Sequence, residues 1–380
     1  MAESAPRLYH VPMAATTGAR TWDGAWARRS PALALLLPCL LVLIAVCALN
    51  VCVNPLGLYW SHRFPPADVN YRAEKFALLQ ALPEKPSTLI IGSSRAMTMY
   101  PADVERYLPG ECFNFAMPSA RAEDYYAAIR LVCEDGRAPI RNVVLAVDYD
   151  AFAPGPGTMS EARYFPAFRK YLVHTPGIGT NWPERLSMLI ARQQIEESLN
   201  VLRRTLEAKQ QARYVELAPD GAAIQIAREE SIRKGTFNLK KILGLRVRKY
   251  PARSLYLGSF THPDPVRLQY LSDFLGYCRA RGIQVYAYIT PYHPALWRVL
   301  EPLKGIQVLG AAAEAARQRF EQYGYSLRDY SRVENFGGSP NRFYDEIHMM
   351  PINQEVLLDK LLRGAAAGRG DTKGKETRGL

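Results

Sequence analysis

The sequence predicts an α/β protein, a flavodoxin-like three-layer α/β/α plan with a parallel sheet, a helical insertion and one N-terminal transmembrane helix. Three observations carry the prediction. Apolar runs of strand length alternate with stretches of helical spacing. About 135 residues separate the third and fourth strand candidates, far more than a crossover needs. Near the N-terminus, residues 31–53 run without a single charge.

Taken in order, residues 1–30 form a polar arm carrying Arg20, Arg28 and Arg29. The run 31–53 follows, and at about 1.5 Å per helical residue it is long enough to cross a bilayer. A cleaved signal peptide is the rival reading, but the apolar run is too long for one and lacks a small-x-small exit. Arginines before the span, with uncharged residues and the interfacial aromatics Tyr59 and Trp60 after it, place the N-terminus in the cytoplasm. In a bacterium, the rest of the chain would then lie outside the inner membrane as a periplasmic domain.

Beyond the span, the first strand is expected at 87–91, the second at 112–116, the third at 142–147, the fourth at 283–290 and a fifth at 325–330. Helical spacing marks 122–133, 266–281 and 309–323, with Gly136 and Gly282 at the stop positions of the first two, and Pro351 opens a closing helix to Leu362. The sheet domain therefore reads as 60–153 and 260–363. Between these parts, 154–259 reads as a helical insertion in which 183–215 looks like one long helix. Its basic cluster Lys234, Lys240, Lys241, Arg246, Arg248, Lys249 and Arg253 reads as a solvated face or a grip for an anionic partner. The Gly/Ala/Lys-rich tail 364–380 is expected to be disordered.

The formal net charge of +12 is spread over the arm, the middle and the tail, so it makes no nucleic-acid footprint. Of six cysteines, three lie in or at the edge of the span. Cys112, Cys133 and Cys278 remain, an odd number that defines no disulfide framework, although a Cys112–Cys133 bridge is open. No C-x-x-C and no zinc-like spacing occurs, so no metal or cofactor is expected.

Chemistry concentrates in two short motifs. Gly92-Ser93-Ser94-Arg95 leaves the first strand, where glycine permits a sharp exit and a following helical turn would aim N–H groups at the serine. Strand-Gly-Ser-Ser is also a common helix cap, whereas a phosphate cradle lacks its Gly-Lys-Ser/Thr. Asp345-Glu346-Ile347-His348 precedes the closing helix, a spacing that lets Asp345 hold the ring Nδ1–H while Nε2 faces a substrate.

On these motifs the chain resembles the SGNH/GDSL-type hydrolases, in particular the membrane-anchored branch typified by the D-alanyl transfer protein DltD and the alginate acetylation proteins. The likeness covers roughly 85–150 and 260–363. It implies Ser94 as nucleophile, His348 as general base and Asp345 as its orienting acid. It also implies oxyanion donors from a second block, which falls on Asn114 to Ala120 with Ser119 where glycine is common, and from a third block, where Asp148 replaces an expected Asn.

An ionised Asp148 accepts hydrogen bonds and repels an oxyanion, a protonated one could donate, and Arg95 could offset its charge or pair with it. Tyr292 and His293 leave the fourth strand and are expected on the rim near Ser94, and the segment Thr261-His262-Pro263-Asp264 is expected to cap the helix that precedes that strand. The resemblance implies a serine esterase or O-acyltransferase acting on envelope polysaccharide or glycolipid, with an acyl-carrying membrane partner for transfer. A non-catalytic polysaccharide-binding or scaffold protein of the same fold is the alternative.

Overall fold

The computed structural model describes residues 31–56, 59, 63–64, 67, 70–154, 165–174, 182–207, 215–250, 260, 262–303 and 306–370. The arginines of the N-terminal arm, Trp60, Arg253 and the tail from 371 lie outside these residues.

α1 (Pro31–Val53) is the apolar helix, and its 18 residues Leu36–Val53 are long and apolar enough to cross a membrane. α2 (Tyr71–Ala81) leads into β1 (Thr88–Ile91), α3 (Pro101–Glu105), β2 (Cys112–Asn114), α4 (Ala122–Arg130) and β3 (Asn142–Val147). The intervening segment holds α5 (Pro166–Arg169), α6 (Trp182–Leu189), α7 (Arg192–Leu206), the hairpin β4 (Glu216–Leu217) and β5 (Ala223–Ile224), α8 (Ile226–Arg233) and α9 (Leu239–Arg246). α10 (Pro265–Ala280), capped by Asp264, precedes β6 (Gln284–Ile289), α11 (Pro294–Leu300), α12 (Gln307–Gln322), β7 (Leu327–Asp329) and α13 (Pro351–Gly370).

Five strands form one parallel sheet in the order β2-β1-β3-β6-β7, which is the doubly wound pattern 2-1-3-4-5 when only these strands are counted. Alternate residues feed opposite faces because strand side chains alternate. Leu89, Ile91, Val143, Leu145 and Val285 join one buried cluster with Tyr125 of α4, Phe274 of α10 and Phe320 of α12. Ile90, Val144, Ala146 and Tyr288 join another with Val104 of α3 and Leu357 and Leu358 of α13. Each fully buried aliphatic contributes about 1.5–3 kcal/mol, so both layers are held mainly by these strands.

The structure corrects several expectations. The single helix expected at 183–215 is broken within its described part, 183–207 and 215, at Ile190–Ala191, where Ala191 is extended and the Leu189 carbonyl is taken by the Asn50 side chain; 208–214 lie outside the described residues. A tertiary hydrogen bond thus interrupts a sequence of continuous helical character. The insertion is not wholly helical, since its β4–β5 hairpin docks on the sheet through Asn114 N–H to Asp220 O and Ala223 N–H to Met97 O. The first strand candidate loses Ser87, and the second ends at Asn114. α4 passes into a π turn at Leu131–Asp135, and Gly136 there has an ordinary negative φ, whereas Gly282 has the left-handed φ of a helix stop. α13 continues through Gly370, beyond the expected start of a disordered tail at 364. Cys112 and Cys133 are unbridged.

Candidate active site

Loops at the carboxyl ends of β1, β2 and β3 meet the loop before α13, where ligands bind in open α/β sheets. After β1 the chain does not enter the expected helix. Residues 93–98 form successive turns closed by Ala96 N–H to Ser93 O and Met99 N–H to Ala96 O. Gly92 is required for close approach, because a Cβ there would lie 2.7 Å from Ala146 Cβ and 3.1 Å from Ala96 Cβ.

The second loop is pinned at its base. Phe343 and Met349 form a β-bridge, Tyr344 N–H bonds His348 O, and Met350 N–H bonds Arg342 O. Inside this loop Asp345 Oδ1 accepts the backbone N–H groups of Ile347 and His348 at 3.0 and 2.9 Å. His348 Nδ1 lies 2.9 Å from both carboxylate oxygens, and its Nε2 lies 2.9 Å from Ser94 Oγ.

Burial opposes the charge on Asp345, but the His348 ring, the hydrogen bond to it, Arg228 and the backbone N–H of Ile347 outweigh burial and hold the carboxyl far below the usual range. An ionised carboxylate can only accept, so Nδ1 carries the proton and Nε2 offers its lone pair to the Ser94 hydroxyl. Serine, imidazole and carboxylate are thus in line, with the acid fully buried.

Two consecutive residues of α13 join these loops. Asn353 Nδ2 donates to Ser339 O and Arg342 O in the His348 loop, while Gln354 Nε2 donates to Arg95 O and Thr98 Oγ1 beside Ser94. One helical turn therefore sets the spacing between residues 254 apart in the chain. The sequence held a signal for this in the amide pair following Pro351, which lies in the first turn of a helix where side-chain donors reach loops.

A cleft of about 240 Å³ opens beside Ser94, lined by Ser119, Arg121, Asp148, Asp150, Tyr250 and Glu346 among others. Ser119 adopts φ +51, the left-handed conformation that glycine reaches most readily. Among the described residues the backbone N–H groups of Ser94 and Ser119 have no acceptor, and both residues border the cleft.

Asp148 is buried; its Oδ1 accepts the Thr290 hydroxyl at 2.5 Å and lies 3.3 Å from Arg95 Nη1. Arg95 also donates to Thr290 Oγ1 and Asp150 Oδ2, and its guanidinium lies 4.7 Å from the Tyr292 ring centre. Burial lowers the Arg95 pKa, but Asp148 and the surrounding phenols and Asp150 more than compensate, so it stays charged. Burial raises the Asp150 carboxyl even beside Arg95.

Three expected site residues serve the scaffold instead. Asn114 is fully buried behind the cleft, where its Nδ2 donates to the carbonyls of Ala96, Met97 and Met99 and its Oδ1 accepts from Ala116 N–H. His293 caps α11 by accepting Ala295 N–H at Nδ1, leaving Nε2–H for Pro340 O, while its backbone N–H binds Glu346 O. It steadies the His348 loop from outside rather than facing Ser94. Tyr292 is buried beneath Arg95 rather than exposed on a rim.

Sequence reasoning missed Arg228 and the role of Arg246. Arg228 Nη2 lies 2.7 Å from Asp345 Oδ2, and Arg246 Nε binds both oxygens of Glu346 at 2.9 and 2.7 Å. Tyr344 also bonds Glu229. Among the described residues of the expected basic cluster, Arg246 pairs with this loop, whereas Lys234, Lys240, Lys241, Arg248 and Lys249 are exposed. Nothing in the local pattern of α8 distinguishes Arg228 from its solvated neighbours, because its partner is 117 residues away.

Among the described residues no group of His, Cys, Asp and Glu is arranged to hold a metal ion. No protein-family model matches the chain, and no curated protein matches it either.

Proposed function

We propose that the chain is a membrane-anchored, extracytoplasmic serine esterase or O-acyltransferase of the SGNH/GDSL type, acting on an envelope polysaccharide or glycolipid. The observation that carries this reading is the hydrogen-bonded line Ser94 Oγ, His348 ring, Asp345 carboxylate at the edge of a cleft. Ser94 Oγ attacks an ester carbonyl while its proton passes to His348 Nε2. The leaving alcohol takes that proton, and an acyl ester remains on Ser94. Water or a sugar hydroxyl then gives its proton to His348 and attacks the acyl carbon, and His348 returns that proton to Ser94 Oγ as the Ser94–acyl bond breaks.

The free N–H groups of Ser94 and Ser119 suit the developing oxyanion. Arg95 offsets the negative charge of Asp148 in this setting. For transfer to sugar, an acyl-carrying membrane protein supplies the donor. The apolar α1 supports a single span in the bacterial cytoplasmic membrane, with the N-terminus inside.

A second reading, a non-catalytic polysaccharide-binding or scaffold protein, is favoured by one observation: the third-block position holds Asp148, engaged with Arg95 and Thr290, in place of an amide donor. Fluorophosphonate labelling and p-nitrophenyl acetate hydrolysis separate the two. The expected result is labelling and turnover by the wild type and at least about 10³-fold less turnover by Ser94→Ala, the scale of removing a triad nucleophile. Equal inertness of both proteins would count against catalysis and favour the binding reading.

A further inference from the structure

The end of α1 is built into the insertion rather than left as a free tether. Asn50 is fully buried, its Nδ2 donating to Leu189 O at 2.6 Å and its Oδ1 accepting from Ser198 Oγ at 2.7 Å. Val53, Ala67 and Val201 close the joint with a small apolar cluster. Arg204 Nη2 adds a bond to Ala67 O at 3.0 Å. The corner between α6 and α7 is therefore fixed to the last turn of the apolar helix.

That attachment sets the height of the corner. At about 1.5 Å per residue, Asn50 lies only about 4–5 Å short of Val53, where the apolar stretch ends. With the stretch across the hydrocarbon, the Leu189–Arg192 corner falls at the boundary between acyl chains and headgroups. At this corner Leu186 and Ile190 are 55% and 51% exposed, four residues apart and so on one side of the chain. The outer side of α7 mixes the exposed charges Arg192, Glu196 and Arg203 with Leu199 and Leu206, which are 53% and 86% exposed. Exposed apolar side chains at the height where the span ends, with the charge of Arg192 beside them, suit the boundary between acyl chains and headgroups.

We propose that the α6–α7 corner is a second membrane contact, with Leu186 and Ile190 seated in the leaflet from which α1 emerges. The occupant is phospholipid, because the surface is continuous with a helix suited to lipid and is hydrogen-bonded to it. The proposal rests on α1 being a span. Its consequence is that the Ser94 cleft is held at a set height and orientation above the bilayer, instead of sweeping on a leash, and so serves acceptors presented close to that surface.

The test uses the full chain in vesicles of phosphatidylcholine and phosphatidylglycerol carrying a nitroxide lipid labelled near the headgroup. Leu186→Trp and Ile190→Trp are compared with Glu196→Trp, each read as emission added to the parent protein. The expected result is quenching of the added emission about twofold or more stronger at 186 and 190 than at 196. Equal quenching in a chain that floats with the vesicles overturns the corner contact and leaves the span intact. A chain that does not float overturns both. Shielding of 186 and 190 from aqueous iodide without lipid quenching identifies a protein partner and overturns the choice of lipid.

Discussion

Asp345 serves four donors at once: two backbone N–H groups of its own loop, the His348 ring and Arg228. The first two orient the carboxylate, and the ring is the group it steadies. Arg228 shares that load, since its guanidinium, 2.7 Å from Oδ2, is among the groups that outweigh burial and hold the carboxyl below the usual range. Arg228→Met should therefore cost about 1–3 kcal/mol of stability at neutral pH, measured by urea denaturation, because a buried carboxylate loses a charged donor. The folded carboxyl is depressed, so this deficit is full above the ordinary Asp value of about 3.9 and shrinks as pH falls below it. A deficit independent of pH would show that Arg228 only packs the loop. Neither Arg228 nor the scaffold roles of Asn114 and His293 could be read from spacing, because each depends on which distant loop carbonyl or carboxylate lies opposite.

At the level of elements, Ser94, the proposed nucleophile, is placed by contacts between backbones as much as by side chains. β1 and β3 approach so closely at Gly92 that an added methyl group would meet Ala146 Cβ at 2.7 Å. Gly92→Ala should cost about 1–3 kcal/mol of stability, measured by urea denaturation, through overpacking between strands rather than through φ, which is not left-handed here. It should also lengthen the Ser94–His348 contact and reduce fluorophosphonate labelling. The strands and major helices were legible because buried parallel strands are continuous apolar runs and helices carry a distinct period. The break between α6 and α7 was not, because the residues at Ile190–Ala191 carry no breaker and the interruption comes from Asn50. The β4–β5 hairpin left a signal in Pro219-Asp220-Gly221, a turn sequence set within a segment of otherwise helical composition.

Across the whole molecule, one segment between β3 and β6 touches both ends of the proposed machinery. Its α6–α7 pair grips the last turn of α1, and its α8 and α9 send Arg228 and Arg246 to the Asp345–Glu346 loop. The apolar helix and the site are thus joined through the insertion as well as through the main sheet. If α1 crosses the bilayer, the full chain should stay with the membrane pellet after an alkaline carbonate wash that strips peripheral proteins, because about 18 buried apolar residues exceed what surface charge can replace. Release into the supernatant would refute the span.

The sequence by itself determined the alternation of strand and helix, the apolar anchor-length helix, and the residue types at positions 94, 345 and 348, all local properties of periodicity and composition. Only the tertiary structure decided that these three side chains meet, that Asp148 faces Arg95, and that an arginine from the insertion reaches Asp345. Those facts depend on the sheet order and on one turn of α13, where neighbouring amides clasp loops from opposite ends of the chain. Local pattern records what each segment can form, whereas contacts over 117 and 254 residues exist only once the segments pack.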